Sequence, residues 1–105
     1  SQKFSDDIKR FATIVDDAAV AAIVKHLGIA LQSKDASLVS MTDKKERDRV
    51  RDSWLKKKLG LTHDDVTLDQ AILEIGDRMK ADTRKQRVTF YYLLAEKFER
   101  LKALT

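Results

Sequence analysis

Along most of this chain apolar residues recur at three- and four-residue intervals, the mark of helices that bury one face. Phe4, Ile8, Phe11 and Val15 align on one side of a first helix predicted over roughly 5–15, with Ser5 or Asp6 placed to accept its first free N–H groups. Asp16 or Asp17 can cap a second helix, roughly 17–27, in which Val20, Ile23, Val24 and Leu27 form a stripe and four alanines fill the other faces. A helix so apolar all round is expected at the centre of the fold. Gly28 suits the left-handed position just past a helix end, and Ile29 is then placed to fold back on Ile23 or Val24.

Residues 29–41 carry no clean period. They read as an ordered connector packed down by Ala30, Leu31, Leu38 and Val39. Thr42 or Asp43 opens a strongly charged third helix, roughly 43–59, whose buried edge is Val50, Trp54, Leu55 and Leu59. Gly60 ends it, and Leu61 returns to Leu55. Thr67 with Gln70 has the spacing of a capping box for a fourth helix, roughly 68–81, faced by Leu68, Ala71, Ile72, Ile75 and Met79. Gly76 costs about 1 kcal/mol relative to alanine inside a helix, so the helix either ends there or runs on to about Ala81. Thr83 with Gln86 repeats the box for a fifth helix, roughly 84–103, in which Val88, Tyr91, Tyr92, Ala95, Phe98 and Leu101 form the inner stripe. Phe90, Leu94 and Leu104 broaden that stripe beyond what one face needs, which predicts deep packing or a surface shared with a partner. The fold class is therefore all-α, a compact bundle of about five helices in a single domain over residues 1–105.

Composition sharpens this reading mainly by exclusion. A chain of 105 residues holds one core, and 43% hydrophobic against 36% charged residues places it far from the disordered regime. Proline is absent and glycine occurs at three positions, so breaks in regular structure are few. The richest apolar run, Ala18 to Val24, is much shorter than the roughly 18–20 residues of a membrane span, and no signal-peptide layout opens the chain, so a cytoplasmic protein is expected. The absence of cysteine removes disulfides, thiolate nucleophiles and thiolate metal sites, and suits a reducing compartment. Ser1 either follows a removed initiator methionine or is a remnant of added sequence.

The net charge of +4 is unevenly spread. Residues 1–41 are neutral, 42–61 carry +4, 62–83 carry −4 and 84–105 carry +4. The acidic fourth helix is expected to lie between the basic third and fifth, with opposite charges meeting along their edges. Lys56, Lys57 and Lys58 fall in the last turn of helix three, where free carbonyls favour cations. Arg84, Lys85 and Arg87 fall in the first turn of helix five, where the dipole disfavours them. Either an internal acid such as Asp82, or the body of helix four, compensates them, or an external phosphate does. These six are the candidate anion or nucleic-acid contacts. Phe90, Tyr91, Tyr92 and Leu94 are the candidate partner contacts.

Chemistry is sparse. His26 and His63 are far apart and belong to no two-ligand helical spacing, so no metal site is assigned. His26 suits a surface or capping role in a helix's last turn, where partial positive charge is favourable. The pairs Asp6-Asp7, Asp16-Asp17 and Asp64-Asp65 stand where helices begin and read as caps, because neighbouring helical residues point about 100° apart and do not converge. The glycines form no phosphate cradle. No residue is assigned as catalytic or cofactor-binding. The loop His63-Asp64-Asp65 is a weak catalytic lead that gains weight only if a cleft brings His63 to another ionisable group.

From Trp54-Leu55-Lys56-Lys57-Lys58-Leu59-Gly60-Leu61, through Leu68-Asp69-Gln70-Ala71-Ile72, to Arg84, Arg87, Tyr91-Tyr92-Leu93-Leu94-Ala95 and Phe98, the chain resembles a small bacterial family, domain of unknown function 2853, mainly over residues 50–100. The resemblance implies a bacterial origin and a compact helical fold. It transfers no activity and marks no residue as catalytic. The leading expectation is thus a non-enzymatic helical interaction module, a homo-oligomer or adaptor, with no cofactor. Binding of nucleic acid or another anion through the two basic segments is the alternative, and an enzyme comes third.

Overall fold

The computed structural model describes residues 2–105, and Ser1 lies outside them. Helix α1 spans Gln2–Ile8, α2 Asp17–Leu27, α3 Lys44–Arg49, α4 Asp65–Arg78 and α5 Arg87–Lys97. A single turn of 3-10 helix follows α2 at Gly28–Gln32 and another closes the chain at Lys102–Leu104. Two short strands, β1 (Leu38–Val39) and β2 (Lys85–Gln86), pair antiparallel with Leu38 opposite Gln86 and Val39 opposite Lys85. The radius of gyration, 12.5 Å, is close to the roughly 13 Å of a folded chain of this length, so the helices close on one core. The fold is mainly helical, as predicted.

Helix α5 occupies the centre. Every residue from Arg87 to Ala95 is buried, and α1, α2, α4 and the end of α3 pack around it. The wide apolar arc is thereby covered inside the chain, and the central position falls to α5 rather than α2, whose Ala18 and Ala21 face outward.

Several boundaries differ from the sequence reading. The first helix ends at Ile8, not near Val15. Phe11 and Ala12 N–H groups both turn back to the Ile8 carbonyl, Arg78 donates to the Phe11 carbonyl, and Asp16 adopts an extended backbone to cap α2 through Ala19 N–H. Phe11, Ala12 and Val15 still pack on the core, but from a turn. Ser5, buried within α1, donates to Asp17 instead of capping. Helix α4 starts three residues early because Asp64, not Thr67, accepts the first free N–H, from Thr67 at 2.9 Å. It runs through Gly76, where an added Cβ would stand 2.5 Å from Met41 Cε; the glycine lets the 40–42 segment lie against the helix. Helix α5 begins at Arg87, because Lys85 and Gln86 are drawn into the strand pair and Gln86 makes no side-chain cap, and it ends at Lys97 rather than near 103, because Glu99 turns left-handed. Ile29 does not fold back on α2; it is 81% exposed.

Helix α3 widens after Arg49 into a nine-residue π-helix, Val50–Lys58. The buried Val50 and Trp54 within it and Leu59 just past its end stand four and five apart, wider than the 3.6 residues of an α-turn, and i→i+5 bonding such as Leu59 N–H to Trp54 carbonyl (2.9 Å) keeps all three inward, with Leu55 buried beside Trp54. Leu61 N–H then returns to the Leu55 carbonyl at 3.0 Å, with Gly60 left-handed between them. At the end of α5 the same left-handed position is held by Glu99, φ 56°, with Arg100 N–H on the Ala95 carbonyl at 2.8 Å. A side chain pays for that conformation with roughly 1–2 kcal/mol, so Glu99→Gly is expected to stabilise the protein by about 0.5–1 kcal/mol after the glycine's own entropy is counted, read as a raised urea midpoint.

Candidate functional site

The strongest polar cluster is internal. Glu46, in the first turn of α3, and Arg87, in the first turn of α5, are both buried and form an ion pair. Arg87 also donates from Nε to the Ala36 carbonyl at 2.7 Å, from Nη2 to the Leu38 carbonyl at 2.9 Å and from Nη1 to the Tyr91 hydroxyl at 3.1 Å. Arg49 donates from Nη1 to the second carboxylate oxygen of Glu46 at 2.6 Å. Four of the five N–H donors of one guanidinium are thus engaged, three of them fastening the 36–38 segment and α3 to α5. Arg87 is therefore removed from the candidate anion contacts. The compensating acid is Glu46 rather than Asp82, whose carboxylate is gripped by Arg10 at 2.7 and 3.0 Å, the contact that holds its pKa down.

The remaining candidates scatter. Arg84 is exposed, and Lys85 turns to the Asp82 carbonyl at 2.8 Å; both precede α5 rather than lying on it. Lys56 bridges Asp65 at 2.5 Å and Asp52 at 3.7 Å, while Lys57 and Lys58 face solvent. Arg87 sits beside Glu46 at one end of α3 and the lysines lie at the other, roughly 15 Å along the axis, so the two basic segments do not merge at α3. Phe90, Tyr91, Tyr92 and Leu94 are all buried and offer no broad partner surface: Tyr91 stacks on Trp54 with ring centroids 4.6 Å apart, and the Tyr92 hydroxyl accepts Asp16 N–H at 2.9 Å. The predicted edge pairing of opposite charges does hold, through Arg51 with Asp69 (3.2 Å), Lys56 with Asp65, and Lys97 with Glu74.

His26 is exposed in the last turn of α2, the surface position expected of it, but partial positive charge is not favoured there. Its ring rests 5.3 Å from Trp54, and burial, with the charge of Lys58, pushes its pKa down. The folded imidazole is harder to protonate than the unfolded one, near 6.5, so its contribution to stability is full above about pH 6.5 and falls as pH drops through the window below. Urea midpoints at about pH 7.5 and 5.5 should show this loss, and His26→Gln should reduce it.

Of the shallow grooves on the surface, three border exposed apolar residues. One, of about 520 Å³, lies between α4 and the tip of α5 and brings His63 together with Glu74 and Lys97. That proximity is the condition set for a catalytic reading. Glu74 and Lys97, however, are paired with each other, Asp64 is committed to the N-terminus of α4, and the His63 ring packs edge-on against Phe98 at 5.1 Å. On α4 itself, Val66 and Leu73 are 68% and 48% exposed, seven residues apart and so within about 20° of one another, opposite the buried Leu68–Ile75 side. Leu73 borders a second groove with Lys44, Arg47, Asp48, Asp69 and Ile72. A third lies on the far side of the α5 tip, against Ile14. Sequence reasoning passed over Val66, Leu73 and Ile14; the signal was their position off the buried stripes. Among the described residues no three His, Asp or Glu side chains gather where a metal ion could be held, and no helix is long and apolar enough to cross a membrane.

A small, mainly helical domain with many of its charges paired and its apolar outliers at groove edges is what fold and surface define. The chain belongs to the family described as Protein of unknown function (DUF2853), which it matches over residues 3–102, the first half included. No curated protein matches it.

Proposed function

We propose that this protein is a non-enzymatic helical interaction module that binds a second copy of itself, or another protein, through the outward face of α4. The observation that carries this reading is the Val66–Leu73 stripe. The acids beside it, Asp65, Asp69 and Glu74, are matched by Lys56, Arg51 and Lys97 of the same chain, while Asp77 at the end of the stripe has no ion pair among the described residues, leaving an apolar centre with a largely neutralised rim, the anatomy of a protein interface. Bacterial origin and a cytoplasmic location belong to the same proposal.

Light scattering after gel filtration tests self-association. A dimer that Val66→Ser with Leu73→Ser returns to monomer supports it, and a strict monomer at about 50 μM, a ΔG weaker than roughly −6 kcal/mol, removes it. A photo-crosslinker at Leu73, with exposed Ala18 as control, reads the alternative of a different partner.

A second reading, anion or nucleic-acid binding, is supported by the exposure of Lys57, Lys58 and Arg84. Titration with labelled DNA and RNA at two salt concentrations decides it, since phosphate contacts make affinity fall steeply with salt.

A further inference from the structure

The third groove, about 490 Å³, lies where the turn before α2 meets the end of α5. Its wall is the outer side of Ile14, 80% exposed, with the half-buried Leu101, and the buried Tyr92 lies beneath them. An isoleucine so far from the core, beside further apolar surface, leaves a hydrophobic trough open to water. The rim is acidic: Asp16, Glu96 and Glu99 stand there against one ammonium, Lys102. Lys102 Nζ is 3.1 Å from Asp16, on a side chain 91% exposed, and Arg100 turns away to the Leu59 carbonyl. Glu96 and Glu99 therefore face the groove without a cationic partner among the described residues, on a chain whose net charge is +4. Both also stand at the C-terminal end of α5, where the helix dipole disfavours negative charge.

We propose that this groove docks a basic, apolar-anchored peptide segment of a partner protein, one leucine or isoleucine side chain seated against Ile14 and Leu101 and flanking lysine or arginine on Glu96 and Glu99. The Lys102–Asp16 contact already shows a primary ammonium bound at this rim by a side chain of the chain itself. Charge complementarity selects the occupant: a basic segment neutralises the two unpaired carboxylates, whereas an acidic or neutral one leaves them facing apolar surface. The site is separate from the α4 face, which borders the opposite side of the α5 tip.

The test is a fluorescence-polarisation titration of the full chain with a labelled peptide Gly-Lys-Leu-Arg-Ile-Lys-Gly, at low and at physiological salt. A peptide with serine in place of its leucine and isoleucine is expected to bind about ten-fold more weakly, since a seated aliphatic side chain contributes roughly 1.5–3 kcal/mol. A variant carrying Glu96→Gln with Glu99→Gln is expected to bind the original peptide about five-fold more weakly at low salt, with the difference shrinking as salt screens the rim. Both substitutions are at the surface, and circular dichroism confirms that the variant is folded. Amide shifts in the labelled protein should centre on Ile14, Tyr92, Glu96 and Leu101. No binding up to about 1 mM, equal binding by the Gln variant, or shifts centred on Val66 and Leu73 instead would each overturn the proposal, and only the last would favour the α4 face. Self-association abolished by Ile14→Asp would assign the groove to a second copy of this chain and overturn the partner-peptide assignment.

Discussion

Arg87→Met is expected to destabilise the protein by about 3–5 kcal/mol, a large part of the 5–15 kcal/mol that holds a typical domain folded. The methionine fills much of the space but leaves Glu46 as a buried carboxylate facing only Arg49, and strips the Ala36 and Leu38 carbonyls of their donor. Adding Glu46→Gln should restore only part of the loss, because the charge is then gone while the two carbonyls are still unsatisfied. Arg87→Lys should also fail to rescue, since an ammonium cannot reach acceptors arranged around a planar fork. Urea unfolding of the four proteins checks all of this, and a double variant as stable as the parent would show that the 36–38 segment needs no fastening.

Trp54→Ala is the second large effect, a loss of about 3–5 kcal/mol. Trp54 is fully buried in the π-helix, stacks on Tyr91, touches His26, and donates from its indole to the Tyr91 carbonyl at 3.2 Å. Trp54→Phe keeps most of the packing and forfeits that bond, so a smaller loss of about 1–2 kcal/mol is expected. If the two variants unfold at the same denaturant concentration, the stack carries little of the stability and the hydrogen bond most of it.

Much of the fold was readable wherever one residue settles a local question. Asp16 starts α2 because a short carboxylate can reach Ala19 N–H, and the bounds of α2 follow the sequence at both ends. The buried stripe of α4 likewise obeys its period. The reading failed where long-range contacts decide. Gln86 has the spacing of a capping partner, yet its backbone is claimed by Leu38, almost fifty residues earlier, and no local pattern reveals a pairing two residues long. The π-helix was half visible in the four- and five-residue intervals of Val50, Trp54 and Leu59, but Leu55 beside Trp54 lets the same residues pass for an ordinary stripe. The Arg87 site was announced by an anomaly, positive charge at the wrong end of a dipole, and its partner was hidden because Glu46 lies 41 residues away in the chain. The interaction surfaces were the least legible part: a single valine or isoleucine off a stripe looks the same whether a loop covers it or water does.

The central place of α5 also orders events in time. A chain emerging from the ribosome has laid down four of these five helices before the one they surround is made, so the earlier segments lack the element at their centre until α5 is free. Until then their greasy faces stay open to chaperones and to one another, and a message truncated before Arg87 is expected to yield a degraded polypeptide rather than a smaller domain.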